Sequence, residues 1–182
     1  MLSLDRPAVP NCPPGQAHRN RLGLTPAGRE AMDILMRSGM LIDIDHMSER
    51  ATDETLALGR DFPSGWGYPL ISGHNGPRGT GGEERHLRAD QMEAIRDRGG
   101  MLGLGWSHSD AARFRENFGR VREILGDGRV AFGTDMNGAE HQPGPRAGTR
   151  VATTWRTGLR VWDYSVDGVA NYGMIPEFVQ DL

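Results

Sequence analysis

Three short apolar runs in this sequence end on a side chain that can bind a metal or move a proton. Met40–Ile44 leads into Asp45-His46, Tyr68–Gly73 into His74, and Arg129–Thr134 into Asp135. A neutral imidazole ligates zinc at about 2.0–2.1 Å, and neighbouring strands lie about 4.8 Å apart. His46 and His74, at equivalent ends of adjacent parallel strands, can therefore reach one ion. An aspartate beside a dication can accept a proton from metal-bound water and pass it to a leaving amine, which is the role open to Asp135. Arg85 closes a glycine-rich stretch from Asn75 to Glu84, and its guanidinium can pair bidentately with a carboxylate. The four residues read as fragments of one metal-hydrolase rim.

Each residue also has a plainer reading. His46 can be a helix-start histidine bonded locally, and Asp135 an Asx turn or cap beside Asn137-Gly138. Taken alone, Arg85 is a surface arginine. His108-Ser109-Asp110 imitates a His-x-Asp metal pair, but it lies past a strand end where Ser109 and Asp110 serve better as helix caps. His18, His86 and His141 fall in polar loops and read as solvated, with His141 the best placed of them to face a pocket. Asp43 alternates with Asp45 along its run and needs a partner such as an arginine.

The elements that must hold these residues alternate in type. Strands are expected at Met40–Ile44, Leu70–Ser72, Met101–Leu104 and Val130–Phe132. Between them fall helical patterns. Thr25-Pro26 opens the first with a capping hydroxyl and a first-turn proline, and Ala31, Ile34 and Leu35 form its apolar stripe. Ser48 caps the second, which runs to Gly59. The third runs from Ala89 or Asp90 to Arg98, and the fourth carries Phe114, Phe118, Val121 and Leu125 at helical spacing. A last short helix spans Pro176–Leu182. Four consecutive units of this kind describe an α/β fold: half of a (β/α)8 TIM barrel, since a whole one takes about 250 residues. A small open sheet with helices on its faces is the other solution. The expected division is an irregular connecting segment over 1–23, the half barrel over 24–140, and an irregular tail with the short helix over 141–182.

Composition removes several function classes. The 182 residues carry a net charge of −3, against a general nucleic-acid binder with a basic face. All 21 basic residues are arginine, which excludes a Schiff-base lysine and a Walker-type phosphate loop. The single cysteine, Cys12, rules out a disulfide framework and a cysteine-based zinc site. No stretch approaches the ~20 apolar residues of a membrane span, and Met1–Pro7 has no signal-peptide pattern. The chain reads as soluble, with its compartment unassigned.

Taken together, these segments resemble the membrane (renal) dipeptidase family of the amidohydrolase superfamily. Gly23–Arg29 is similar to that family's GLT-x-x-G-R helix start, and Met40–Ser48 to its "GMLIDLSHVS" segment. The second match implies that His46 is a zinc ligand, and the likeness of Leu70–His74 to the second histidine strand implies the same for His74. Arg85–Asp90 resembles the R-N-[LV]-x-D segment, in which the arginine holds the substrate carboxylate. Phe132–Gly138 resembles the "GSDFDG" strand end, which makes Asp135 the acid of that motif. The family's first strand also supplies a His-x-Asp metal pair, and a later one a glutamate bridging two zinc ions. Neither has a counterpart here, so the chain is expected to be a C-terminal half-barrel piece of a divergent bacterial member, with a binuclear zinc centre only in a full-length parent.

The resemblance implies a zinc-dependent hydrolase cleaving a dipeptide or similar small amide. The alternative is a non-catalytic half barrel that assembles with a second copy or with a missing N-terminal half. A phosphate-binding half barrel rests on Gly73–Gly82 alone.

Overall fold

The computed structural model describes residues 19–79, 82–106, 110–126, 128–136 and 142–182. Cys12, His18, His108, Ser109, Asn137 and His141 lie outside the described residues. The chain divides into two compact units. The first runs to Ile71 and resumes over Pro77–Gly100; the second comprises Ser72–Gly76 and Met101–Leu182.

In the first unit, local signals set the helix starts. Helix α1 (Pro26–Arg37) begins where the Thr25 hydroxyl accepts the Gly28 N–H at 3.0 Å, with Pro26 in the first turn. It stops at Gly39, whose φ of +70° suits a residue without a side chain just past a helix end. Its buried side chain is Met36, whereas Ile34 is exposed, so the stripe expected at Ala31, Ile34 and Leu35 is out of phase. Met32, Ile34, Leu35 and Met36 are all apolar, and a helix this rich in apolar residues does not declare its inward face. Helix α2 (Glu49–Asp61) starts where the Ser48 hydroxyl accepts the Ala51 N–H at 3.1 Å. Helix α3 (Ala89–Asp97) follows, with Met92 and Ile95 buried, as are Ile42, Leu56, Leu70 and Leu87 of the same unit.

The strand expected over Met40–Ile44 is reduced to a parallel bridge between Asp43 and Ile71. Two hydrogen bonds make it, Ile71 N–H to Ile42 O at 3.0 Å and Ile44 N–H to Ile71 O at 2.9 Å. The chain turns at Asp45-His46, and that turn ends the pairing.

From Ser72 onward β1 (Ile71–Asn75) belongs to the second unit, which is built on a three-stranded sheet in the order β1, β2 (Met101–Gly105), β3 (Val130–Gly133). Strands β2 and β3 are parallel, with Leu104 opposite Phe132 and Gly105 opposite Gly133. Helix α4 (Ala111–Leu125) crosses between them, capped by the Asp110 carboxylate on the Arg113 N–H at 2.8 Å. It buries Phe114, Val121 and Leu125 as its spacing predicts. Trp106, directly after β2, packs edge-on against Phe114 and Phe178, with ring centroids 6.3 and 4.8 Å away. Its indole N–H donates to Gln142 Oε1 at 2.9 Å, which keeps a buried polar atom satisfied.

The segment read as irregular after His141 contains an antiparallel hairpin, β4 (Thr154–Thr157) with β5 (Arg160–Asp163). Gly158 occupies the first turn position with φ +60°, the backbone that a two-residue hairpin turn requires. Trp155 faces Trp162 across the pair. Helix α5 (Tyr164–Asp167) and helix α6 (Ile175–Asp181) complete the unit. No helix among the described residues is long and apolar enough to cross a membrane.

Candidate active site

In the first unit, His46 sits in the turn that ends the Asp43 bridge, with φ +62°. The Asp43 carboxylate accepts the Asp45 N–H at 2.9 Å, an Asx-type contact that reverses the chain and turns it toward α2. Left-handed backbone is uncommon outside glycine, although histidine and aspartate tolerate it better than most residues. A cavity of about 380 Å³ opens here, lined by Asn20, His46, Ser48, Glu83, Glu84 and Arg85. His46 and Arg85 therefore share one wall system. The Arg85 Nε lies 2.6 Å from a Glu83 carboxylate oxygen, and both side chains are well exposed. Such a surface pair is worth about 0–1 kcal/mol, so a competing carboxylate can exchange with it.

Next to Arg85, His86 is half-buried, a correction to the solvated loop position expected from sequence. Burial pushes its imidazole below the ordinary histidine value, and the Arg85 charge pushes it further, with Glu83 opposing. His86 is thus held neutral where its neighbour is cationic.

In the second unit, His74 lies on β1 and Asp135 two residues beyond the end of β3. The His74 Nε2 and an Asp135 carboxylate oxygen are 4.0 Å apart, with both side chains about one-third exposed. That separation exceeds a hydrogen bond but lets the two groups flank one small reacting atom. Asp135 has φ +45°. Among the described residues, His46 and Asp135 are the non-glycine positions with positive φ. Two of the four residues singled out by sequence thus carry uncommon backbone, which is a reason to look for function there.

The donor chemistry suits zinc in kind. In the first unit His46 offers imidazole nitrogen and its turn the carboxylates of Asp43 and Asp45; in the second His74 offers imidazole nitrogen and Asp135 a carboxylate, all ligand types zinc takes. Sequence reasoning passed over Arg78 and Glu49, which lace the Arg85 loop to the start of α2. The signal for them is three-dimensional, since they lie 29 residues apart.

Comparison with known proteins decides the family. The model of the membrane dipeptidase family (peptidase family M19) matches residues 11–146, three-quarters of the chain. This chain belongs to the membrane dipeptidase family. The chain is 27% identical over 128 residues to an uncharacterized protein in the pqqA 5′ region of Klebsiella pneumoniae, covering 64% of this chain and 45% of that one. To dipeptidase 3 of Rattus norvegicus it is 22% identical over 134 residues, covering 69% of this chain and 26% of that one. Among solved structures, a metallo peptidase from Rhodobacter sphaeroides, liganded with a phosphinate mimic of the dipeptide L-Ala-D-Ala, superimposes with a TM-score of 0.58. Identity there is 24%, over 71% of this chain and 37% of that one, a likeness that shows the fold. The chain therefore spans less than half the length of these relatives. Its alternating helices and strands are part of the (β/α)8 barrel architecture of that family.

Proposed function

We propose that this chain forms part of a zinc-dependent hydrolase that cleaves dipeptides or similar small amides. The single observation that carries the reading is the left-handed backbone at His46 and Asp135, the two positions that the family's histidine and aspartate motifs assign to metal and proton chemistry. Support for the substrate class comes from the dipeptide mimic held by the Rhodobacter sphaeroides relative.

In this reading His46 and His74 are zinc ligands. Zinc held by them would supply the Lewis acidity that hydrolysis of an amide needs. Asp135 holds the proton released on attack and passes it to the leaving amine, at a carboxylate that stands 4.0 Å from the His74 ring. Arg85 exchanges Glu83 for the substrate's terminal carboxylate, which orients the scissile bond. His86, kept neutral beside it, adds no second positive charge to compete for that carboxylate.

The test is a set of substitutions in the intact protein. His46→Ala and His74→Ala are expected to lose zinc. Asp135→Asn is expected to retain zinc and lose about 10²–10⁴-fold in kcat, the usual contribution of general acid–base catalysis. Arg85→Ala is expected to raise KM for dipeptides. Equal zinc in wild type and both histidine variants would end the ligand assignment.

A further inference from the structure

We propose that Arg78 is a positioning residue for Arg85, and that it thereby sets the site's preference for substrates with a free terminal carboxylate. This rests on the reading of Arg85 as the carboxylate-binding residue.

The Arg78 side chain is only 10% exposed, which is unusual for an arginine in a glycine-rich loop. Its donors are distributed over three partners. The Nε donates to His86 O at 2.9 Å and one terminal nitrogen to Glu84 O at 2.7 Å. Those are the carbonyls on either side of Arg85. The other terminal nitrogen donates to a Glu49 carboxylate oxygen at 2.5 Å. The Arg78 backbone N–H also donates to Leu87 O at 2.8 Å, beside a Pro77–Leu87 bridge.

Glu49 is the first residue of α2, so the far end of the clamp is a helix that starts three residues after His46. A second tie runs parallel to it. The Glu84 carboxylate accepts the Glu49 N–H at 3.0 Å and the Asn20 N–H at 2.9 Å. Arg88 closes the arrangement through the remaining Glu49 oxygen at 2.8 Å. One rigid planar fork thus fixes the carbonyls of the two residues on either side of Arg85 against the element that follows His46. A lysine carries the charge but cannot serve both carbonyls and the carboxylate in one plane.

Without the fork, Arg85 keeps its charge but samples more orientations. The loss should fall on binding of the substrate carboxylate, with chemistry on the bound substrate largely spared.

The experiment measures kcat and KM of the intact zinc-loaded protein for a dipeptide and for the same dipeptide with its terminal carboxylate amidated. Arg78→Met, Arg78→Lys, Arg85→Ala and the double variant Arg78→Met/Arg85→Ala are compared. Arg78→Met is expected to raise KM for the free acid about 10–100-fold while kcat stays within about 3-fold. The preference for acid over amide should collapse toward that of Arg85→Ala, and Arg78→Lys should fall between. The double variant should be no worse than Arg85→Ala, because Arg78 acts only through Arg85. An unchanged acid-to-amide preference in Arg78→Lys or Arg78→Met overturns the proposal, as does full additivity in the double variant. If Arg85→Ala itself leaves the preference intact, the reading of Arg85 fails and takes this inference with it. Arg78→Lys keeps the comparison decisive if Arg78→Met does not fold.

Discussion

Gly133 lies directly against the backbone of His74. A Cβ added there would come within 2.5 Å of the His74 Cα and 2.9 Å of its Cβ, and would also strike the carbonyl of Gly73. The absence of a side chain at Gly133 lets the backbone of β1 approach closely enough to bring His74 beside Asp135. Gly133→Ala is expected to destabilise the fold by about 1–3 kcal/mol, the range for overpacking a tight contact, as read by urea unfolding. A midpoint within error of wild type would show that the contact relaxes freely.

His46 supplies a second test, one that separates stability from function. Left-handed backbone costs a non-glycine residue about 1–2 kcal/mol, while glycine costs about 0.5–1 kcal/mol in chain entropy. His46→Gly is therefore expected to be more stable than His46→Ala by about 0.5–1 kcal/mol. Denaturation of both variants in the presence of a chelator measures the difference. A variant pair of equal stability would mean that the φ of +62° carries no strain.

The neutral state of His86 has a pH signature. Its value in the fold lies below the ordinary 6.5, chiefly through burial and then through Arg85. A group depressed in this way contributes its full stability above its unfolded value. That contribution is lost as pH falls from about 6.5 toward the lower folded value. Removing the neighbouring charge should undo part of the shift. In Arg85→Gln the His86 ring resonances are expected to titrate at higher pH than in wild type, and an unmoved midpoint would show that the arginine charge is screened.

Asp181 holds the second unit together from the other end of the chain. Its carboxylate is fully buried and accepts from the Arg146 N–H at 2.7 Å, the Thr149 hydroxyl at 2.6 Å and the Tyr164 hydroxyl at 3.1 Å. Burial alone would push this carboxyl up, but these donors, with the Arg146 side chain, outweigh it and hold the group below the ordinary carboxylate range. Its stabilisation is complete at neutral pH and fades only as pH drops below that range. Asp181→Ala leaves several donors unmet and is expected to cost about 3 kcal/mol or more at pH 7. The penalty should shrink in acid, and thermal unfolding at neutral and acid pH checks both statements.

The residues that start the helices were legible because capping is a local matter. Thr25, Ser48 and Asp110 each bond a backbone N–H within three residues, and the short range of that bond leaves a mark in the sequence. The strands β2 and β3 were legible for a related reason, being brief apolar runs bounded by glycine and charge. The Met40–Ile44 run looked the same but makes only a bridge, because a strand's length is set by its partner. The hairpin of β4 and β5 had a usable signal in Thr157-Gly158-Leu159-Arg160, which the surrounding arginines and polar residues obscured.

For the candidate site, sequence alone determined which side chains are chemically able to take part: His46, His74, Arg85 and Asp135 are identified by type and by position after an apolar run or a glycine-rich one. Tertiary structure alone decided their company. Only folding brings His74 to 4.0 Å from Asp135, buries His86 beside Arg85, and threads the Arg78 guanidinium between Glu49 and the carbonyls around Arg85. The His74–Asp135 and Arg78–Glu49 contacts join residues far apart along the chain, and long-range pairing leaves no periodicity for a linear reading to find.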